Sequence, residues 1–481
     1  MDFRPVFFVL GILLSTLAGS MTIPLMADLS AGHEDWQVFA ISGAFTLFVG
    51  VALMLTNRVP AFTLSIRQAF LLTTLSWTVT AAFAAVPLML AAIDLSYTDA
   101  FFEAMSGITT TGATVIVGLD TAPPGVLLWR ALLQWMGGIG IIVLALSILP
   151  MLQVGGMQLF RTESSEKSDK VLPRAAQLAT WIGMIYLSFT MLCAIGYHTA
   201  GMDWFDAVAH AMTTIATGGF STADSSLGYF DEPLVELVAI TFMLLGALPF
   251  VLYLRALRGD PRPLRNDTQV HWFLTIVVVA VSLMAAHLWW DQGYPPLVAL
   301  RLAGFNVVSV ITGTGYATSD FGTWGSFAGG TMFFLMFVGG CAGSTSCGIK
   351  IFRFQVLYAT ADAQMRRLIQ PHGVFIAYYN GKPIAESVSV SVMSFFFMYV
   401  VCFALLSITL QLIGLDYLTA MTGAATAISN VGPGLGPVIG PSGTFATLPD
   451  AAKWVLSAGM LLGRLELFTV LILLTPSFWR S

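Results

Sequence analysis

Charge is scarce in this chain. Asp, Glu, Lys and Arg make up 10% of its 481 residues, whereas a soluble globular domain carries about 25%. Hydrophobic residues make up 57%, which excludes a water-soluble fold and points to an integral membrane protein. Cysteine is equally sparse. Cys193, Cys341, Cys347 and Cys402 all sit in apolar or Gly-rich segments, so no cysteine metal cluster is expected and a Cys341–Cys347 disulfide is disfavoured. The histidines His198, His210, His271 and His287 occur singly. With no His-Glu-x-x-His, no nucleophile elbow, no phosphate-binding Gly loop and no segment of soluble-domain composition, an enzyme is not expected. No nucleic-acid partner is expected either, although the net charge of −5 does not by itself exclude one.

What the chain has in quantity is apolar length. Runs able to cross about 30 Å of hydrocarbon fall near 4–26, 37–56, 71–93, 126–150, 178–199, 233–254, 271–290, 326–349, 390–413 and 451–475. The first is too long for a signal-peptide core and reads as a retained helix. With the N-terminus inside, 17 of the 21 Lys and Arg residues fall in cytoplasmic segments, the exceptions being Arg130, Arg301, Lys453 and Arg464. The positive-inside rule then places both termini in the cytoplasm. The longest inside segments, 151–176 and 350–388, are charged and expected to hold short helices. Acidic residues show the opposite bias. Asp94, Asp99, Glu103, Asp203, Asp206 and Asp224 lie in outward segments, either as a vestibule that concentrates cations or as ordinary solvated loop charge.

Four copies of Ile-x-x-x-Gly organise the chain: Ile108–Gly112, Ile215–Gly219, Ile311–Gly315 and Ile428–Gly432. An Ala stands eight residues before each Ile (Ala100, Ala207, Ala303, Ala420), and the Gly-to-Gly spacings are 107, 96 and 117. A repeat of this length implies four similar units, each a helix, a half-helix, an extended loop and a second helix. The half-helices are expected at 98–108, 204–215, 300–311 and 417–428. Each is long enough for only about half a membrane, so the backbone after it must be buried in protein or line a cavity. Their C-terminal ends carry partial negative charge, and a desolvated alkali ion needs several uncharged oxygens at once. The loops Thr110-Thr111-Gly112, Thr217-Gly218-Gly219, Gly313-Thr314-Gly315 and Asn430-Val431-Gly432 are therefore the candidate cation filter. The fold class expected is an all-α polytopic membrane protein with four pseudo-repeated units around one pore, plus two extra N-terminal helices. The divisions expected are 1–70 for the N-terminal hairpin, then 71–150, 151–254, 255–350 and 351–481 for the four repeats.

Two features sit below that filter. Gly339, Gly340, Gly343, Ser344, Thr345, Ser346 and Gly348, leading to Lys350, cannot make a robust lipid-facing helix. They form either a mobile loop that blocks the pore or a close packing of helices through small residues. Arg464 places a charge deep in the last apolar run, where charges are costly and usually functional. An i,i+2 pairing with Glu466 would put the partners on different helix faces.

Together these loops, with Trp135-Met136-Gly137-Gly138-Ile139-Gly140 and Gly463-Arg464-Leu465-Glu466, resemble the TrkH/TrkG/KtrB superfamily of potassium uptake proteins from about residue 71 to the end. The two N-terminal helices resemble the TrkH branch. The resemblance implies a potassium ion as the transported species, with Gly at all four loop positions going with potassium. It also implies a homodimer in the bacterial inner membrane and cytoplasmic nucleotide-binding TrkA-type regulatory subunits. The ion-facing carbonyls it implies belong to Thr110, Thr111, Thr217, Gly218, Gly313, Thr314, Asn430 and Val431. A transporter coupled to protons or sodium stays open beside the gated pore; it would draw on Glu466, Glu103, His210 or His287.

Overall fold

The computed structural model describes residues 2–58, 64–147, 154–160 and 171–480. Arg161, Lys167 and Lys170, assigned above to the cytoplasmic side, lie outside the described residues, as do residues 148–150 of the expected span 126–150. Among the described residues, seven helices are long and apolar enough to cross a membrane, or nine if each of two bent pairs is one span. Two short antiparallel strands pair Tyr378 with Pro383 and Tyr379 with Lys382.

An N-terminal pair of spans, Arg4–Ala31 and Trp36–Thr56, precedes four helix–loop–helix units. The first unit holds an outer helix Ile66–Leu90, a pore helix Tyr97–Ile108 and an inner helix Pro124–Ser147. The second holds Val171–Thr199, Trp204–Ile215 and Pro233–Ala247, followed by Phe250–Leu257. The third holds Thr268–Trp290, Pro296–Thr312 and Ser326–Leu335, followed by Ile351–Ile369. The fourth holds Glu386–Leu412, Tyr417–Ser429 and Asp450–Arg464, followed by Phe468–Leu471. Each pore helix packs against the outer helix of its own unit. One apolar core joins the N-terminal pair chiefly to units one and four, and a second joins units two and three. Large side chains such as Phe48, Val278, Phe397 and Val400 point outward, as a hydrocarbon solvent permits.

Three expected spans are not continuous helices. The run 233–254 turns by 91° between Ala247 and Phe250, because Pro249 lacks an amide hydrogen and holds Leu248 extended. The run 451–475 turns by 109° after Arg464, where Glu466 and Leu467 take positive φ of 62° and 49°. The run 326–349 is helical only to Leu335. Val338 then bridges to Ile349 and closes 339–348 into a loop. Hydropathy records composition and is blind to a change of direction. The segment 350–388 holds one helix of 19 residues, Ile351–Ile369, in place of several short ones.

Candidate functional site

The pore helices have defined starts. The side chains of Ser96, Asp203 and Asp416 accept the amide hydrogens of Asp99, Phe205 and Thr419, and the third helix opens on Pro296; both devices settle the orphan donors of a first turn. All four end in one way. The amides of Thr110, Thr217, Gly313 and Asn430 donate to the carbonyls of Gly107, Thr214, Val310 and Ala427, three residues back. The amides that follow, on Thr111, Gly218, Thr314 and Val431, reach five residues back to Ser106, Thr213, Ser309 and Thr426. This paired 5→2 and 6→1 arrangement is a Schellman stop, which needs a left-handed residue. That residue is Thr110 (φ 52°), Thr217 (48°), Gly313 (73°) or Asn430 (52°). A β-branched residue there is strained by about 1–2 kcal/mol, a cost that proteins tend to hold at functional sites.

The carbonyls accepting those 6→1 bonds reveal a repeat that the sequence reading missed. Each belongs to a hydroxyl residue two before the repeated Ile: Ser106, Thr213, Ser309 and Thr426. The alternation of Ser with Thr hides the pattern from a search on identical residues.

Two residues after each left-handed position stands a repeated glycine, Gly112, Gly219, Gly315 or Gly432, with φ of 85°, 79°, 82° and 111°. A Cβ at Gly112 would lie 2.3 Å from the carbonyl oxygen of Gly218, and one at Gly219 would lie 1.9 Å from that of Thr314. At Gly315 the distance is 2.0 Å to Val431 O, and at Gly432 it is 2.9 Å to Thr111 O. Unit one therefore abuts two, two abuts three, three abuts four and four abuts one. The four loops close a ring, with the carbonyls of Thr111, Gly218, Thr314 and Val431 at equivalent places. A cavity of about 60 Å³ on one side of the ring touches all four glycines and Asp224.

On the other side lies the loop 339–348. Thr110 Oγ1 is 3.5 Å from Cys347 Sγ, and Thr217 Oγ1 donates to Thr345 Oγ1 at 3.3 Å. A Cβ at Gly313 would meet the Cys347 amide at 3.3 Å. The loop is docked on the break in the second unit. Thr345 N and Cys341 N donate to Gly246 O and Ala247 O, carbonyls that the interrupted helix leaves free, while Phe250 N donates back to Gly343 O. Within the loop, Ser346 Oγ accepts from Gly340 N at 2.8 Å, Ser344 Oγ donates to Cys341 O at 2.6 Å, and Lys350 Nζ donates to Ser346 O. Gly348 takes a left-handed φ of 70° and lies against Gly339. Ser344, Thr345, Ser346 and Lys350 are all buried.

Arg464 enters from the fourth unit. Its guanidinium donates to Thr345 O at 3.3 Å and to Gly137 O at 3.1 Å, and touches Cys347 Sγ at 2.6 Å. One buried cation thus ties the loop to the inner helices of units four and one. Glu466 pairs instead with Arg353, whose Nε also donates to Gly155 O at 2.9 Å. That partnership, 113 residues apart in sequence, removes Arg353 from the solvated cytoplasmic charges.

The other exceptions to the basic-inside pattern are neutralised locally. Arg130 pairs with fully buried Glu103 at 2.7 Å, Arg301 with Glu236 at 2.8 Å, and Lys453 with Asp99. Asp224 accepts the amides of Gly118 and Leu119. Glu103 and Asp99 are therefore held in ion pairs, while Asp224 keeps an exposed carboxylate at the cavity beside the ring. His210 bonds to Asp206 O and Ser221 Oγ, and His287 to Asp291 and Trp324 O. The four cysteines are free and buried.

A ring built from four helix–loop–helix units inside a predominantly helical, multi-pass membrane protein has the architecture of a cation-transport protein. The chain belongs to the TrkH cation transport family. The family described as "TrkH: Cation transport protein" matches residues 35–481. The chain is 48% identical over 480 residues to the Trk system potassium uptake protein TrkI of Halomonas elongata, covering 99% of this chain and 97% of that one. It is 38% identical to the Trk system potassium uptake protein TrkH of Escherichia coli K12, over the full length of both. The crystal structure of the potassium transporter TrkH from Vibrio parahaemolyticus superposes with a TM-score of 0.93 at 37% identity, again covering both chains fully.

Proposed function

We propose that this protein takes up potassium across a bacterial inner membrane through a gated, potassium-selective pore. The observation that carries the reading is the closed ring of loops, in which four equivalent backbone carbonyls stand where a dehydrated alkali ion needs uncharged oxygens. The carbonyls of Thr110, Thr217, Gly313 and Asn430 supply a second layer toward the loop. The loop 339–348, with Lys350 and Arg464, is the gate: it lies directly under the ring and is held there by hydrogen bonds and the Arg464 guanidinium rather than by a continuous helix. Passive permeation is favoured over proton or sodium coupling, because Glu103, Glu466, His210 and His287 each have structural partners. Both termini lie in the cytoplasm, two copies of the chain assemble as a homodimer, and nucleotide-binding TrkA-type subunits act on the cytoplasmic face. The relatives' shared designation as parts of a Trk system supports a multicomponent assembly.

Cation entry into liposomes containing the purified chain, without an imposed proton gradient, tests the proposal. K⁺ and Rb⁺ should enter faster than Na⁺ and Li⁺. Absence of potassium permeation even with a regulatory partner present would refute it, and entry that requires a proton or sodium gradient would replace the pore with a coupled carrier.

A further inference from the structure

The motif Trp135-Met136-Gly137-Gly138-Ile139-Gly140 holds three glycines, of which contact explains two. A Cβ at Gly137 would lie 1.9 Å from Ile108 O, and one at Gly138 would lie 2.5 Å from the Tyr186 hydroxyl. Gly140 differs. A Cβ there would meet only a Trp77 ring carbon at 3.7 Å, an ordinary contact, and its φ is not positive. Glycine inside a helix costs about 1 kcal/mol relative to alanine, and no close approach calls for it at this position.

What the bare Gly140 leaves is space. It lines a crevice of about 460 Å³ between three membrane-crossing helices, Arg4–Ala31, Ile66–Leu90 and Pro124–Ser147. Leu13 and Thr16 form one wall, Ser76 and Trp77 another, and Met136 and Gly140 the third. All six lie well inside their apolar helices, away from both ends, which places them within the hydrocarbon layer. The hydroxyls of Thr16, Thr73 and Ser76 donate to Ile12 O, Ala69 O and Thr73 O at 3.0, 2.8 and 2.9 Å. Those bonds turn their polarity back into the helices and leave carbon facing the space. Leu13 is 37% exposed, so the crevice opens on the outer surface of the bundle. At that depth the surrounding solvent is lipid acyl chain, and an empty apolar space forfeits dispersion contacts on its whole lining.

We propose that this crevice is a binding site for one acyl chain of a membrane phospholipid, resting on Gly140 and Trp77. The chain reaches Ile108 and Gly137 at the crevice floor, and Trp77 carries the Arg464 guanidinium 5.7 Å above its ring. The bound tail thus backs the wall that holds the first pore helix and the Arg464 contact. The site requires only that the chain spans a membrane, and it stands whichever ion the ring conducts.

The test uses the full chain in phosphatidylcholine liposomes doped with a lipid carrying a diazirine at mid-chain. After illumination, adducts are mapped by mass spectrometry. Labelling at 13–16 and 136–140 should exceed that at Phe48, an outward residue that reports ordinary lipid contact. Gly140→Leu fills the crevice while improving helix propensity. It should lower crevice labelling about tenfold, as expected when an occupied space is overpacked, and leave Phe48 labelling unchanged. Thr16→Phe fills the same space from the opposite wall and should do likewise. Crevice labelling no higher than at Phe48, or unaltered by both substitutions in folded protein, would overturn the assignment.

Discussion

Arg464→Ala raises basal potassium flux, measured in liposomes without any regulatory partner, by about ten- to a hundredfold. The scale comes from the charge. A unit charge about 5 Å from the route of a monovalent cation adds ~3 kcal/mol to its passage at an effective dielectric constant near 20, equivalent to roughly a hundredfold in rate. Loss of the donors to Thr345 O and Gly137 O acts in the same direction, by releasing the loop 339–348 from two inner helices. The lower end of the range allows for the anchors that stay, the amide bonds to Gly246 O and Ala247 O. Arg464→Lys separates the two effects: it keeps the charge but not the forked contact, so flux should rise by much less than in the alanine variant. Unchanged flux in Arg464→Ala would remove this residue as part of the barrier.

Alanine at the ring glycines lowers potassium flux in a graded order. The predicted severity is Gly219 and Gly315 first, then Gly112, then Gly432, following the added Cβ contacts of 1.9, 2.0, 2.3 and 2.9 Å. In every case alanine takes a left-handed conformation, at about 1–2 kcal/mol. The decisive term is the displaced carbonyl of the neighbouring unit, because a shift of a few tenths of an ångström changes the oxygen cage around a bare ion. Flux per folded protein should fall about a hundredfold or more for Gly219→Ala, the loss that ~3 kcal/mol brings. Gly432→Ala should keep measurable flux with weakened preference for K⁺ over Na⁺. If all four variants conduct equally, the ring is not the narrow part of the route.

These consequences divide between what the residue pattern carries and what only the folded chain reveals. The second and fourth pore helices, expected at 204–215 and 417–428, run over Trp204–Ile215 and Tyr417–Ser429. A half-length apolar helix bounded by a cap and a repeated glycine is a local signal, so it survives in the sequence. The Ser/Thr repeat at 106, 213, 309 and 426 was equally local, but it is written in two residue types. The break at Pro249 had a visible cause that hydropathy averaging concealed. The turn at Glu466 and Leu467 had none, since neither residue favours positive φ; the Arg353 pairing that accompanies it is a long-range contact. Arg464 illustrates the same limit. Its burial was readable from the apolar run around it, while its contacts with Thr345 and Gly137 depend on three separate units meeting at one point. Charge counts by segment have a related limit: they cannot tell Glu103, sealed against Arg130, from a solvated carboxylate.

The central claim is that the ring holds a dehydrated potassium-like ion by backbone oxygens, and rubidium anomalous scattering tests it most directly. Crystals of the protein grown in rubidium chloride should show a peak among the carbonyls of Thr111, Gly218, Thr314 and Val431, absent from crystals grown in lithium chloride. Rubidium density elsewhere in the protein, with the ring empty at the same rubidium concentration, would contradict the account.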